Sequence, residues 1–145
     1  MADRLKVLFL CTGNSCRSQM AEGWARHLYA GRIDAYSAGT RPHGVNPLAV
    51  RVMAEAGVDL SGHTSKRLDA LAAVPLDYVV TVCDHANEAC PAFPGIAKRL
   101  HAGFDDPPKL AEAATTEDEA LSHYRRVRDE IRDYVSALPA VLEKR

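Results

Sequence analysis

The feature that most limits the possible folds is a short apolar run that ends in a polar, glycine-containing tetrapeptide and gives way to helical periodicity. Lys6 to Cys11 reads KVLFLC, Thr12-Gly13-Asn14-Ser15 follows, and from Ser18 the apolar positions Met20, Ala21, Trp24, Ala25 and Leu28 recur at helical spacing. This reads as strand, loop, helix. Asp34 to Ala38 is a second short strand closed by Gly39; Asn46 or Pro47 then opens a helix with Leu48, Val52, Met53 and Ala56 on one stripe, ended by Gly57. Thr64-Ser65 is expected to cap a short helix through Leu71, and Asp77 to Val82 (DYVVTV) is a third strand, apolar and β-branched enough to be central. A short helix over Ala86 to Ala92, a weak fourth strand over Arg99 to Phe104 and an amphipathic helix over Glu117 to Leu142 complete the series. The last carries Leu121, Tyr124, Val127, Ile131, Tyr134 and Leu138 on one face, and Pro139 should end or kink it.

Strands alternating with helices imply an α/β protein: a three-layer αβα sandwich around a central four-stranded parallel sheet, with both faces covered. The 145 residues suit a single domain spanning 1–145. In such sheets ligands bind at the carboxyl ends of the strands, which places Cys11, Cys83 and the Gly103 to Pro108 loop at one edge. Nearly balanced charge, formally −1, argues against a nucleic-acid surface, and no apolar run approaches a bilayer span. The charged start of the chain lacks the pattern of an export leader, so a cytoplasmic, reducing compartment is expected and the four cysteines should be thiols. Cys11 and Cys16, or Cys83 and Cys90, are not spaced as zinc ligands, so no metal and no cofactor is expected.

Cys11-Thr12-Gly13-Asn14-Ser15-Cys16-Arg17-Ser18 is a cysteine, five residues, an arginine and a hydroxyl, lying between strand and helix. A loop that winds into a helix N-terminus aims backbone N–H groups at one point where the helix dipole favours an anion. Arg17 adds a planar fork for two oxygens of a tetrahedral oxyanion. The same positive groups should lower the Cys11 pKa and make it a nucleophile, with Ser18 bonding the sulfur or capping the helix. Thr12, Gly13, Asn14, Ser15, Cys16, Arg17 and Ser18 are thus the expected substrate-binding residues. Cys16 is read first as a packed small residue, the alternative being a protective disulfide with Cys11.

Val82-Cys83-Asp84-His85-Ala86-Asn87-Glu88-Ala89-Cys90-Pro91 places two thiols around a candidate helix. Seven helical positions rise by roughly 10 Å, whereas a disulfide needs Cα atoms within about 7 Å; pairing Cys83 with Cys90 would unwind any helix between them. In Gly103-Phe104-Asp105-Asp106-Pro107-Pro108 a carboxyl group could serve as general acid, although acids before prolines are also ordinary turn chemistry. His43, His63, His85 and His101 receive no catalytic role.

These segments, CTGNSCRSQMAEGW, YSAGT, HGVNP, DLSGHTSK, VTVCDHANEACP, GFDDPP and YRRVRDEIR, closely resemble the thioredoxin-coupled arsenate reductases built on the low-molecular-weight protein tyrosine phosphatase fold. The phosphatases share the Cys-x5-Arg-Ser loop and an Asp-Pro acid, but here Pro108 stands where their tyrosine typically follows. The resemblance implies reduction of arsenate to arsenite: Cys11 attacks arsenic held by the loop and Arg17, Asp106 protonates the departing hydroxide, Cys83 attacks the Cys11 sulfur, Cys90 then attacks Cys83, and thioredoxin reduces the Cys83–Cys90 bond. It further implies phosphate-like oxyanions as competitors, and a monomer is expected. Some relatives use a carboxylate at the position of Lys66 in an alkali-cation site; with Asn14, Glu22 and Ser37 nearby, the Lys66 ammonium is expected to replace the cation and pair with Glu22, against the simpler reading of a solvated lysine. A phosphatase acting on tyrosine phosphate and a non-enzymatic arsenite binder using the three thiols are the competing functions.

Overall fold

The computed structural model describes residues 5–71, 73–83 and 98–143. Among them, strands β1 (Leu5–Cys11), β2 (Ile33–Gly39), β3 (Tyr78–Thr81) and β4 (Lys98–His101) form one parallel sheet in the order β2-β1-β3-β4. The helices are α1 (Arg17–Leu28), α2 (Pro47–Glu55), α3 (Pro107–Ala111) and α4 (Glu117–Glu143). The candidate helix over Ala86 to Ala92, and Cys90 with it, lies outside the described residues.

β1 is central, and Val7, Leu8, Phe9, Leu10 and Cys11 are all buried. Because successive side chains of a strand point to opposite faces, unbroken burial means that both faces of β1 are covered. On β2, by contrast, Ile33, Ala35 and Ser37 are buried while Asp34 and Tyr36 are half-exposed, as befits an edge. β4 is the other edge: only Leu100 is buried, and the exposed Lys98, Arg99 and His101 discourage further strand pairing.

The helices pack by the stripes that their periodicity announces, except that Leu28, expected on the α1 stripe, is exposed at the end of that helix. Met20, Ala21, Trp24 and Ala25 of α1 are buried, and Trp24 Nε1 donates to the Arg128 carbonyl of α4 at 3.2 Å. Asn46 caps α2, its Oδ1 accepting from the Leu48 and Ala49 amides, with Pro47 in the first turn where a missing N–H is harmless. In α4 the buried stripe is Leu121, Tyr124, Val127, Ile131, Val135 and Leu138. Tyr134 sits on the flank, half-buried, with its ring edge-on to Phe104.

Four expectations need correction. The helix predicted from Thr64 to Leu71 shrinks to a 3-10 turn over Leu68–Leu71. Its first residues have their backbone groups committed elsewhere: the Thr64 carbonyl accepts from Gln19, the Lys66 amide donates to Asn14 Oδ1, and the Lys66 carbonyl accepts from the Gly39 amide. Those groups cannot also close helical hydrogen bonds. Pro139 does not end α4, which runs on to Glu143; one missing N–H in the last turns leaves the remaining ladder intact. The stiff loop expected at Gly103 to Pro108 instead turns into α3 at Pro107, with Asp106 at the N-cap position. The fourth strand ends at His101 rather than Phe104.

Candidate active site

The loop between β1 and α1 lies at the carboxyl edge of the sheet, where the topology rule puts a ligand. Its shape follows from where its carbonyls are held. The Thr12 oxygen accepts from the Arg41 amide at 2.8 Å, Gly13 from the His43 amide at 2.9 Å and Ser65 Oγ at 3.0 Å, and Asn14 from Gln19 Nε2 at 3.1 Å. The Ser15 oxygen accepts from the Asn46 amide and Cys16 from Met20, both at 2.9 Å. A trans peptide sets its N–H opposite its C=O, so tying each carbonyl to the loop's back turns the following N–H groups to the other side. α1 adds to this: its N-cap, Cys16, supplies no side-chain cap and its first turn holds no acidic residue, which leaves the helix N-terminus to favour an external anion.

This side opens into a cavity of about 350 Å³ lined by Cys11, Thr12, Gly13, Ser15, Cys16, Arg17, His43, Asn46, Asp106 and Pro108. Five of the seven expected binding residues line it. Asn14 and Ser18 are fully buried on the loop's other side and bond each other, Asn14 Nδ2 donating to Ser18 Oγ at 2.9 Å. Ser18 thus braces the loop instead of reaching the Cys11 sulfur or capping α1.

Gly39 makes the loop's position possible. A Cβ there would lie 2.6 Å from the Thr12 oxygen and 2.8 Å from the Asn14 nitrogen, so the end of β2 fits behind the loop only without a side chain. In the sequence Gly39 reads merely as the close of a strand.

Arg17 is held across the mouth toward the acid loop: Nη1 donates to the Phe104 carbonyl at 2.9 Å and Nη2 lies 3.6 Å from Asp106 Oδ1. Its buried Nε–H has no hydrogen-bond partner among the described residues, a donor available to a tetrahedral oxyanion. The two neighbouring aspartates separate cleanly. Asp106 lines the cavity, whereas Asp105 faces α4 and pairs with Arg126 at 3.0 Å.

Cys83 follows β3 and lies beside Cys11 at the sheet edge. The Thr12 hydroxyl lies 3.3 Å from Cys83 Sγ, and the Cys83 thiol is close enough to Cys11 to act on its proton. That neighbourhood overturns the expectation of a lowered Cys11 pKa. Cys83 and burial push the Cys11 thiol up, and the opposing pull of Arg17 and the Gly13 N–H does not win. Burial, with the Asp106 carboxylate beside it, also pushes the Cys16 thiol up. Cys11, Cys16 and Cys83 are free thiols in this structure.

The expected Lys66–Glu22 pair also needs correction. Lys66 Nζ donates to the carbonyls of Ser37 at 3.1 Å and Thr64 at 3.0 Å, while Glu22 takes Ser37 Oγ at 2.6 Å and Arg26 Nε at 2.8 Å. Glu22 has Arg26 as its near ion-pair partner and reaches Lys66 only through its field. Nor is Lys66 a solvated surface lysine: it is half-buried, and that burial pushes its pKa down.

Sequence reasoning passed over Gln19, gave Ser65 only a helix-capping role and His43 none, and noted Pro108 only as a departure from the phosphatases; Ser65 and His43 in fact hold the Gly13 carbonyl, and His43 and Pro108 line the cavity.

Residues 6–145 match the family model of the low molecular weight phosphotyrosine protein phosphatase. The arsenate reductase of Halalkalibacterium halodurans is 52% identical over 125 residues, 86% of this chain and 88% of that protein. A solved arsenate reductase in the phosphate binding state superposes with a TM-score of 0.72 at 33% identity, covering 94% of this chain and 97% of the other. A tyrosine phosphatase of Erwinia amylovora shares the fold with a TM-score of 0.72 at 20% identity, over 93% and 91% of the two chains.

Proposed function

The chain belongs to the low molecular weight phosphotyrosine protein phosphatase family, and we propose that within it this protein is an arsenate reductase, recycled by thioredoxin. One observation carries the choice of reduction over ester hydrolysis: a second thiol, Cys83, is buried beside the nucleophile Cys11, close enough to raise its pKa, with the Thr12 hydroxyl of the loop 3.3 Å from its sulfur. Hydrolysis has no use for it, while two-electron reduction needs a thiol in reach of the first sulfur.

Arsenate is held by the loop N–H groups and the Arg17 fork, and the Cys11 sulfur attacks arsenic. Asp106, on the cavity wall, protonates the departing hydroxide, and the proton given up by the Cys11 thiol balances it, so one water leaves. Cys83 then attacks the Cys11 sulfur; the S–As bond breaks with its electron pair on arsenic, which departs as arsenite and leaves a Cys11–Cys83 disulfide. The Thr12 hydroxyl, 3.3 Å from Cys83 Sγ, can donate to the attacking thiolate. Cys90 attacks Cys83, frees Cys11, and passes the disulfide to thioredoxin. No described helix is long and apolar enough to cross a membrane.

The test is arsenate-dependent NADPH oxidation with thioredoxin and thioredoxin reductase, for wild type and Cys90→Ser. Sustained consumption by wild type and at most one turnover by the variant is the expected result. No consumption by a wild-type protein that still hydrolyses an aryl phosphate would make the protein a phosphatase.

A further inference from the structure

The carbonyls of Thr12, Gly13 and Ser15 are each held by a main-chain amide that the fold carries past them, and that of Cys16 by the first helical bond of α1, from the Met20 amide. Asn14 is different. Its oxygen is held by a side chain, Gln19 Nε2, although Asn14 has φ +45°, a left-handed backbone that no other described non-glycine residue adopts. Such a conformation persists only where surrounding contacts enforce it.

Gln19 is fully buried and does not line the cavity. Its amide can sit only one way round. Nε2 faces two acceptors, the carbonyls of Asn14 at 3.1 Å and Thr64 at 3.0 Å, so Oε1 must face the third neighbour, His63 Nδ1, at 3.0 Å. His63 then donates from Nδ1, as it can in its charged form and in one neutral tautomer. With all three bonds made, rotating the amide by half a turn would set oxygen against two carbonyl oxygens.

We propose that Gln19 is a positioning residue for oxyanion binding: its locked amide pins the Asn14 carbonyl to the back of the loop and thereby keeps the Ser15 N–H turned into the cavity. This rests on the loop being the oxyanion site. The clamp is built before the ligand arrives, so its loss weakens binding of the oxyanion rather than the later thiol steps.

Inorganic phosphate is the probe. For Gln19→Leu, which fills similar space without donor or acceptor, calorimetry should show phosphate binding weakened about tenfold, the effect of losing the one of its three buried hydrogen bonds that holds the loop. The arsenate KM should rise with it while kcat changes much less. A lowered melting temperature with unchanged phosphate affinity and KM would make Gln19 a packing residue only and overturn the proposal. Should that variant fail to fold, the wild type decides by NMR. The Gln19 Nε2 protons should exchange slowly without phosphate and keep their shifts when it is added, while the Ser15 amide moves; fast exchange without phosphate would refute a preformed clamp. Absence of phosphate binding by the wild type would instead sink the oxyanion site itself.

Discussion

Replacing Gly39 by alanine presses on the loop from behind, from a residue that does not itself line the cavity. The new Cβ would stand 2.6 Å from the Thr12 oxygen and 2.8 Å from the Asn14 nitrogen, both backbone atoms with no rotamer to escape into. Reaching an ordinary contact of 3.4 Å requires a displacement of about 0.8 Å, shared between the loop and the end of β2. Part of it must fall on the loop, because the Gly39 amide is fixed by the Lys66 carbonyl at 2.8 Å and the strand is paired along its length with β1. Misplacement by about 1 Å costs on the order of a hundredfold in rate, and overpacking costs about 1–3 kcal/mol in stability. Gly31→Ala is the control, since a Cβ there meets nothing within 4 Å. Steady-state arsenate reduction should therefore show kcat/KM down by about a hundredfold for Gly39→Ala and near wild type for Gly31→Ala, with phosphate affinity following the same order. If the two variants bind phosphate equally well, the close approach of β2 does not shape the loop and the reasoning fails.

Asp106→Asn should lower kcat by about a hundredfold or more, while Asp105→Asn, which loses only an exposed pair with Arg126, should change it by less than about threefold; equal effects in stopped-flow turnover would contradict the assignment of the acid. Cys83→Ala removes the first cause that raises the Cys11 pKa, so more thiolate exists at a given pH and the pH profile of Cys11 alkylation by iodoacetamide should move to lower pH. An unmoved or raised profile would mean that Cys83 is not what holds the proton. Because the Lys66 ammonium occupies the Ser37 and Thr64 carbonyls, exchanging sodium for potassium at constant ionic strength should leave arsenate turnover unchanged. Marked activation by potassium would show that the ammonium does not stand in for a cation.

Much of this architecture was legible from periodicity, because alternating strands and helices bury different repeats. β1 could be recognised as central since a strand covered on both faces must be apolar throughout. The anion loop was legible because its components are neighbours in the chain. What holds it was not: Arg41 and His43 contribute main-chain amides, and an amide is the same in every residue but proline. For the same reason the stretch from Thr64 to Lys66 read as a helix start, although its carbonyls and amides serve the loop and β2. The sign of the Cys11 shift was misread because the sequence displays Arg17 but conceals the contact with Cys83. Asp106 and Asp105 were inseparable until the direction of each side chain was fixed, one into the cavity and one onto α4.

The order in which the site's parts occur along the chain has a further consequence. Every group that ties back a loop carbonyl, from Gln19 through Arg41, His43 and Asn46 to Ser65, precedes Arg67, as do Cys11 and Arg17. The second thiol and the acid, Cys83 and Asp106, both come after β3 begins at Tyr78. The two portions share one sheet and do not fold apart, yet they are written separately. On the proposed mechanism the anion cradle and the attacking sulfur are encoded in the first half of the chain, and the second thiol and the acid in the second. Substitutions near Cys83 would then redirect the chemistry while the cradle is inherited unchanged. Such modularity gives a physical route by which one fold serves both a phosphatase and a reductase.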